Sequence, residues 1–221
     1  MIATIMTKTI LCYGDSNTFG TMPMHNLSDD GRFDHAARWP SVMAKSLAAA
    51  AEVIAEGLPG RTTVHDDPVE GAHRNGLTVL PAILESHRPL DLVILMLGTN
   101  DLKHRFSLNP WDIAASIGRL AGVVRSSAAG PGGSAPQCLV ICPPPIMEVG
   151  DLAQMFQGGA AKSVGLGAAC ADMCARNSLR MLHAGQIVQA SPIDGIHFSA
   201  QAQVTLGLAI AREVNDHFFT S

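Results

Sequence analysis

Apolar residues in this chain fall into short unbroken runs separated by longer stretches of mixed character. The short runs are Thr9-Ile-Leu-Cys-Tyr13, Glu52-Val-Ile-Ala-Glu56, Leu92-Val-Ile-Leu-Met-Leu97 and Cys138-Leu-Val-Ile-Cys142, with a weaker one at Arg180-Met-Leu-His-Ala184. Each is β-rich, and the first three stop at a glycine, so all five predict strands. Runs as continuous as Leu92 to Leu97 suit strands covered on both faces. The stretches between them predict helices over Trp39 to Ala51, Leu77 to His87, Pro110 to Ser126, Ala160 to Asn177 and Ser199 to His217. Asn109-Pro110 is a good helix start, because Asn caps and Pro has no amide to leave unpaired. Ser199 is placed to cap the last helix in the same way.

Strands alternating with helices of this length imply βαβ units and a parallel sheet. The expected architecture is an α/β fold, a three-layer α/β/α sandwich around a five-stranded parallel sheet, formed by residues 1–221 as one domain. The Gly/Pro/Ser-rich stretch Ser126 to Pro136 sits between a helix and a strand needed for the same sheet, so it reads as a surface loop. In open α/β sheets ligands bind at the carboxyl ends of the strands. The loops after the five runs are therefore where chemistry should be sought.

Composition narrows the partners. With 47% hydrophobic residues, 15% charged residues and a net charge of −4, the chain is ordinary globular protein with no basic run to track nucleic acid. No apolar run approaches the roughly 20 residues needed to span a bilayer, and Met1-Ile-Ala-Thr-Ile5 lacks a signal-peptide pattern. The expectation is a soluble cytoplasmic protein with neither nucleic acid nor membrane as partner. The five cysteines, Cys12, Cys138, Cys142, Cys170 and Cys174, show no C-x-x-C pair and read as small buried hydrophobes. No metal is expected, since two thiols four apart make only half a zinc site.

Gly14-Asp15-Ser16 follows the first strand directly, which exposes the Ser16 hydroxyl at a strand-to-helix turn and leaves its amide free. Taken alone, a serine there is more commonly a cap. A serine hydroxyl becomes nucleophilic only beside a base whose tautomer is fixed by a third group. Asp194-Gly-Ile-His197 offers both, because a turn can bring the Asp194 carboxylate to Nδ1 of His197 and leave Nε2 to face Ser16. Acyl transfer also needs donors for an oxyanion. Asn100, in Gly98-Thr-Asn-Asp101 after the third strand, has a side-chain NH₂, and the amides of Ser16 and Gly60 are further candidates. The remaining histidines, His25, His35, His65, His73, His87, His104, His183 and His217, show no metal-ligand spacing.

These blocks resemble the SGNH or GDSL-type serine hydrolases, named for a Ser, a Gly, an Asn and a His in separated blocks. Ser16, Gly60, Asn100 and Asp194 with His197 match them in order. Glu56-Gly-Leu-Pro-Gly-Arg-Thr-Thr63, Asp66-Asp-Pro68, Met96-Leu-Gly-Thr-Asn-Asp101 and Asp194-Gly-Ile-His-Phe198 are similar to the bacterial aryl esterase/acyltransferase branch. The resemblance implies a flavodoxin-like fold, no cofactor and a small-molecule ester as substrate. It implies hydrolysis of short-chain acyl and aryl esters, with acyl transfer to alcohols or hydrogen peroxide in some members, and a homo-oligomer. It also implies that translation starts at Met6, since Met6-Thr-Lys-Thr-Ile10 resembles the usual beginning of such chains. The chain departs from the pattern at Asn17 (usually Leu), Phe19 (usually Trp) and Pro59-Gly60 (usually Ser-Ala), all beside the nucleophile or the oxyanion loop. Asp15, Asn17, Phe19, Trp39, Phe106, Trp111, Ile196 and Phe198 are the candidate lining of the substrate pocket. Two alternatives stay open: a deacetylase, thioesterase or lysophospholipase on the same three residues, and a non-catalytic doubly wound ligand-binding module.

Overall fold

The computed structural model describes residues 7–219, so the expected start at Met6 lies outside the described residues. Five strands, β1 (Lys8–Gly14), β2 (Ala51–Gly57), β3 (Leu92–Met96), β4 (Gln137–Cys142) and β5 (Arg180–His183), pair in the order β2-β1-β3-β4-β5, every pair parallel. This is the flavodoxin-like doubly wound order, with its reversal between β1 and β3. The connecting helices are α1 (Ser16–Phe19), α2 (Trp39–Leu47), α3 (Gly76–His87), α4 (Pro110–Ser126), α5 (Gly159–Arg176) and α6 (Ala200–His217).

The strands alternate sides as their period of two requires. Ile10, Cys12, Ile94 and Ile141 face Trp39 and Met43 of α2 and Leu206 and Ile210 of α6. Leu11, Tyr13, Val93 and Leu95 face Leu80 of α3 and Leu120 and Val124 of α4. Val140 and Cys142 meet Ile113 and Ile117 of α4 and Leu166 and Cys170 of α5. The expected sandwich is therefore observed, with two helices on one face and three on the other. All five cysteines are buried and unpaired.

The boundary between α2 and β2 differs most from the sequence expectation. The helix predicted to run to Ala51 ends at Leu47, and Ala48 takes φ 52° to turn the chain back. Ala51 opposes Lys8 in the first rung of the β1·β2 ladder. A run of four alanines favours a helix locally, yet pairing with β1 overrides that preference. The four-residue α1 was not among the helices predicted from periodicity, although a strand-to-helix turn was expected at Ser16. Capping followed expectation elsewhere: Asn109 forms a reciprocal capping box with Asp112, and the Ser199 side chain accepts from the Ala202 amide.

Candidate active site

The carboxyl ends of β1 and β3 lie at the reversal of strand order, and the two loops leaving them approach each other there. Gly14 closes β1 where a Cβ would lie 2.0 Å from Thr18 Oγ1 and 2.9 Å from the Met96 carbonyl, so only glycine fits. Asp15 caps α1, its Oδ1 accepting from the Asn17 amide at 2.9 Å. Ser16 is the first helical residue, a position whose amide has no partner within the helix.

The segment between β5 and α6 brings His197 to the same point. Asp194 Oδ1 accepts from the amides of Ile196 and His197, each at 3.0 Å. Its Oδ2 accepts from the Met24 amide at 2.8 Å and lies 2.6 Å from His197 Nδ1. A carboxylate so surrounded fixes the proton on Nδ1, which leaves Nε2 as an acceptor 3.1 Å from Ser16 Oγ. Burial alone pushes the Asp194 carboxyl up, but the hydrogen bond and charge of His197 and the backbone donors outweigh it and hold the group at about 2. Asp194 therefore stays ionised, and the row Asp194, His197, Ser16 is continuous and buried. Such a row has the geometry to take a proton from Ser16 Oγ to His197 Nε2.

Two more loops complete the surroundings. Gly60 takes φ +76°, a backbone conformation that favours glycine. The buried Asn100 donates one side-chain hydrogen to the Arg61 carbonyl at 3.1 Å; the amide has a second hydrogen to offer. Ser16, Gly60, Asn100 and His197 all line one cavity of about 540 Å³.

Of the eight residues expected to line the pocket, Phe19 and Ile196 do. Trp39 and Phe198 do not: both are fully buried in the core between the sheet and α2 and α6. Phe106 packs instead against the His65 ring, centroids 5.8 Å apart. Trp111 points to solvent from the first turn of α4, 63% exposed. Asp15 is occupied as a cap, and the Asn17 carboxamide turns away to the backbone on either side of His197. The cavity wall comes largely from residues the sequence reading missed: Met24 and Leu27 on one segment, and Leu152, Met155 and Phe156 on another. The spacing of the last three, i, i+3 and i+4 after β4, was the available signal.

Charged residues missed from sequence hold the loops. Arg61 lies 4.1 Å over the Tyr13 ring and donates to the Gly14 carbonyl at 2.8 Å, tying the Gly60 loop to the end of β1. Asp101 accepts from the Thr63 amide and hydroxyl, tying the loops after β2 and β3. Lys103, 2% exposed, reaches Glu70 at 2.5 Å and Asp67 at 3.3 Å, and Arg105 reaches Asp67 at 2.7 Å.

Asp15 gives a prediction. Burial raises its carboxyl from 3.8 to about 6, against the lowering pull of the Asn17 amide, His197 and Arg61. The unfolded group loses its proton first, so stability falls as pH rises from 3.8 to about 6. Asp15→Asn keeps an acceptor for the Asn17 amide and removes the titration. At about pH 8 the variant is expected to be more stable than wild type by roughly 3 kcal/mol, and the gain is expected to disappear below the unfolded pKa. Urea unfolding across that range checks this; a gain unaffected by pH would refute the cause given.

A doubly wound sheet carrying a serine after β1, an asparagine after β3 and an Asp-x-x-His before the last helix defines an SGNH-type hydrolase. The sequence pattern of the GDSL-like lipase/acylhydrolase family matches residues 12–203, and the chain belongs to that family. It is a carboxylic ester hydrolase. Among solved structures it is similar to the native aryl esterase of M. smegmatis, at 40% identity and TM-score 0.90 over 95% of this chain and 99% of that one. It is also similar to a carbohydrate acetylesterase from Sinorhizobium meliloti, at 41% identity and TM-score 0.91 over 96% of this chain and 100% of that one. A second carbohydrate acetylesterase family member from that organism shares 36% identity at TM-score 0.88, over 97% and 100%. None of the curated proteins matches. The alternative of a non-catalytic binding module is set aside by family membership.

Proposed function

We propose that the chain is a serine esterase acting on short-chain acyl and aryl esters through an acyl-enzyme on Ser16. The observation that carries this is the buried row at the base of the cavity, 2.6 Å from Asp194 to His197 and 3.1 Å from His197 to Ser16. In this reading His197 Nε2 takes the Ser16 proton as Oγ attacks the ester carbonyl. The Ser16 and Gly60 amides and the Asn100 side chain bind the oxyanion. His197 then protonates the departing alcohol, and Asp194 stabilises the imidazolium while it exists. Water attacks the acyl carbonyl, gives its proton to His197, and Ser16 leaves as the restored hydroxyl. An alcohol or hydrogen peroxide entering in place of water yields a new ester or a peracid by the same proton path.

A serine-directed fluorophosphonate tests the nucleophile. One adduct per chain is expected, located on Ser16 by peptide mass mapping and absent after His197→Ala. Labelling on another residue, or none on folded protein, would sink the proposal. A second reading of the substrate, an acetylated carbohydrate, has support in the charged residues of the cavity, where Glu70, Arg74 and Lys103 join Leu152, Met155 and Phe156 in the lining. Polar groups there suit a hydroxylated leaving group. Comparing kcat/KM for p-nitrophenyl acetate and acetylated xylose separates the two: preference for the sugar ester favours the second.

A further inference from the structure

Asn17 is 2% exposed and lies immediately after Ser16, yet its carboxamide does not face the cavity. Its Nδ2 donates to the Ile196 carbonyl at 3.1 Å, and its Oδ1 accepts from the Phe198 amide at 3.0 Å. The two peptide groups it engages belong to the residues on either side of His197. A carboxamide suits this task because it presents a donor and an acceptor side by side; a carboxylate lacks the donor and an aliphatic side chain lacks both. Asn17 is itself held from behind. Gln203, fully buried on α6, donates from Nε2 to the Asn17 carbonyl at 3.0 Å, while its Oε1 accepts from the Trp39 amide at 2.9 Å.

We infer that Asn17 is a positioning residue that clamps the histidine-bearing segment to the helix of the nucleophile, setting the approach of His197 Nε2 to Ser16 Oγ. The inference rests on the reading of His197 as the base. The remaining anchors of the His197 backbone, the Asp194 carboxylate and the Ser191 amide, lie within the same segment and so fix its local shape. Within that segment they do not hold it against α1. The Asn17 clamp does, through two bonds that each span about the whole distance along the chain between nucleophile and base, 179 and 181 residues. Proton transfer depends steeply on that distance, and a shift of about 1 Å in reacting groups costs on the order of 10²-fold in rate. Asn17 itself does not line the cavity, so its loss is expected to fall on kcat more than on KM.

The test is a double-mutant cycle on p-nitrophenyl acetate hydrolysis with wild type, Asn17→Leu, His197→Ala and the double variant, the last two assayed at high enzyme concentration. Asn17→Leu is expected to lower kcat by on the order of 10²-fold in the wild-type background and to have no further effect once His197 is gone. A residue serving the fold alone would cost the same factor in both backgrounds, and that result overturns the inference. So does Asn17→Leu with wild-type kcat beside an inactive His197→Ala. A fully active His197→Ala would instead remove the base itself, a different failure with a different signature. If Asn17→Leu does not fold, Asn17→Asp takes its place in the cycle, since it keeps the acceptor for the Phe198 amide and sets an oxygen against the Ile196 carbonyl; the same expected and overturning outcomes apply.

Discussion

Ser16→Ala is expected to lower kcat for p-nitrophenyl acetate by roughly 10⁶-fold, the scale seen when a nucleophile is removed from an acyl-transfer site whose parts act as a unit. The loss follows from geometry. Ser16 Oγ is the atom within hydrogen-bonding distance of His197 Nε2, and it opens onto the cavity that Gly60 and Asn100 also line. Without it no acyl-enzyme forms, and the oxyanion donors are left to assist only the direct attack of water, a residual effect of about 10³-fold over solution. The substitution deletes one oxygen at a buried site and ends one hydrogen bond, so stability is expected to change by about 1 kcal/mol or less. Hydrolysis by purified, folded Ser16→Ala within tenfold of wild type would end the case for Ser16.

Asp194→Asn is the second large effect, an expected loss on the order of 10⁴-fold in kcat. The present carboxylate takes four donors: the amides of Met24, Ile196 and His197 and the His197 ring. An amide group at that place keeps one oxygen for the backbone and turns its NH₂ toward Nδ1. The imidazole must then carry its proton on Nε2, which faces Ser16 as a donor and can no longer accept. Circular dichroism and cavity binding of a non-hydrolysable ester analogue are expected to remain, while turnover disappears. Wild-type turnover in this variant would show that Asp194 is only a structural cap. Acid stability carries the same residue's mark. Its folded value near 2 lies below the ordinary 3.8, so wild type has a stabilising contribution above 3.8 that is lost as pH falls through 2. Asp194→Asn lacks that dependence.

Much of this architecture could be read in the chain because β3, and β4 from Cys138 on, are covered on both faces, and a strand so placed must be apolar at every position. The outer strand β5 is exposed at Arg180 and half-buried after it, and gave a correspondingly faint signal. Residues at the candidate site were legible for a related reason: each follows a strand or precedes the last helix, where a doubly wound sheet gathers its loops. The pocket wall was not. Trp39 and Phe198 were candidates for it, but a large ring gains more from the core than from a cavity. Leu152 and Met155, flagged only by their spacing, form the wall instead. Asn17 was read as lining because it neighbours Ser16, whereas a helix turns consecutive side chains by about 100° and sends this one to the backbone beside His197. Buried ion pairs such as Lys103 with Asp67 join residues far apart in sequence and leave no periodic trace.

Ser16 and His197 stand 181 residues apart. Under the proposed mechanism, the serine is made well before its base and remains an ordinary, weakly reactive hydroxyl until the segment with His197 has emerged and the sheet between them has closed. Contacts of such long span are among the slowest to form. On that mechanism, ester cleavage in a refolding experiment is a clock for the final docking step.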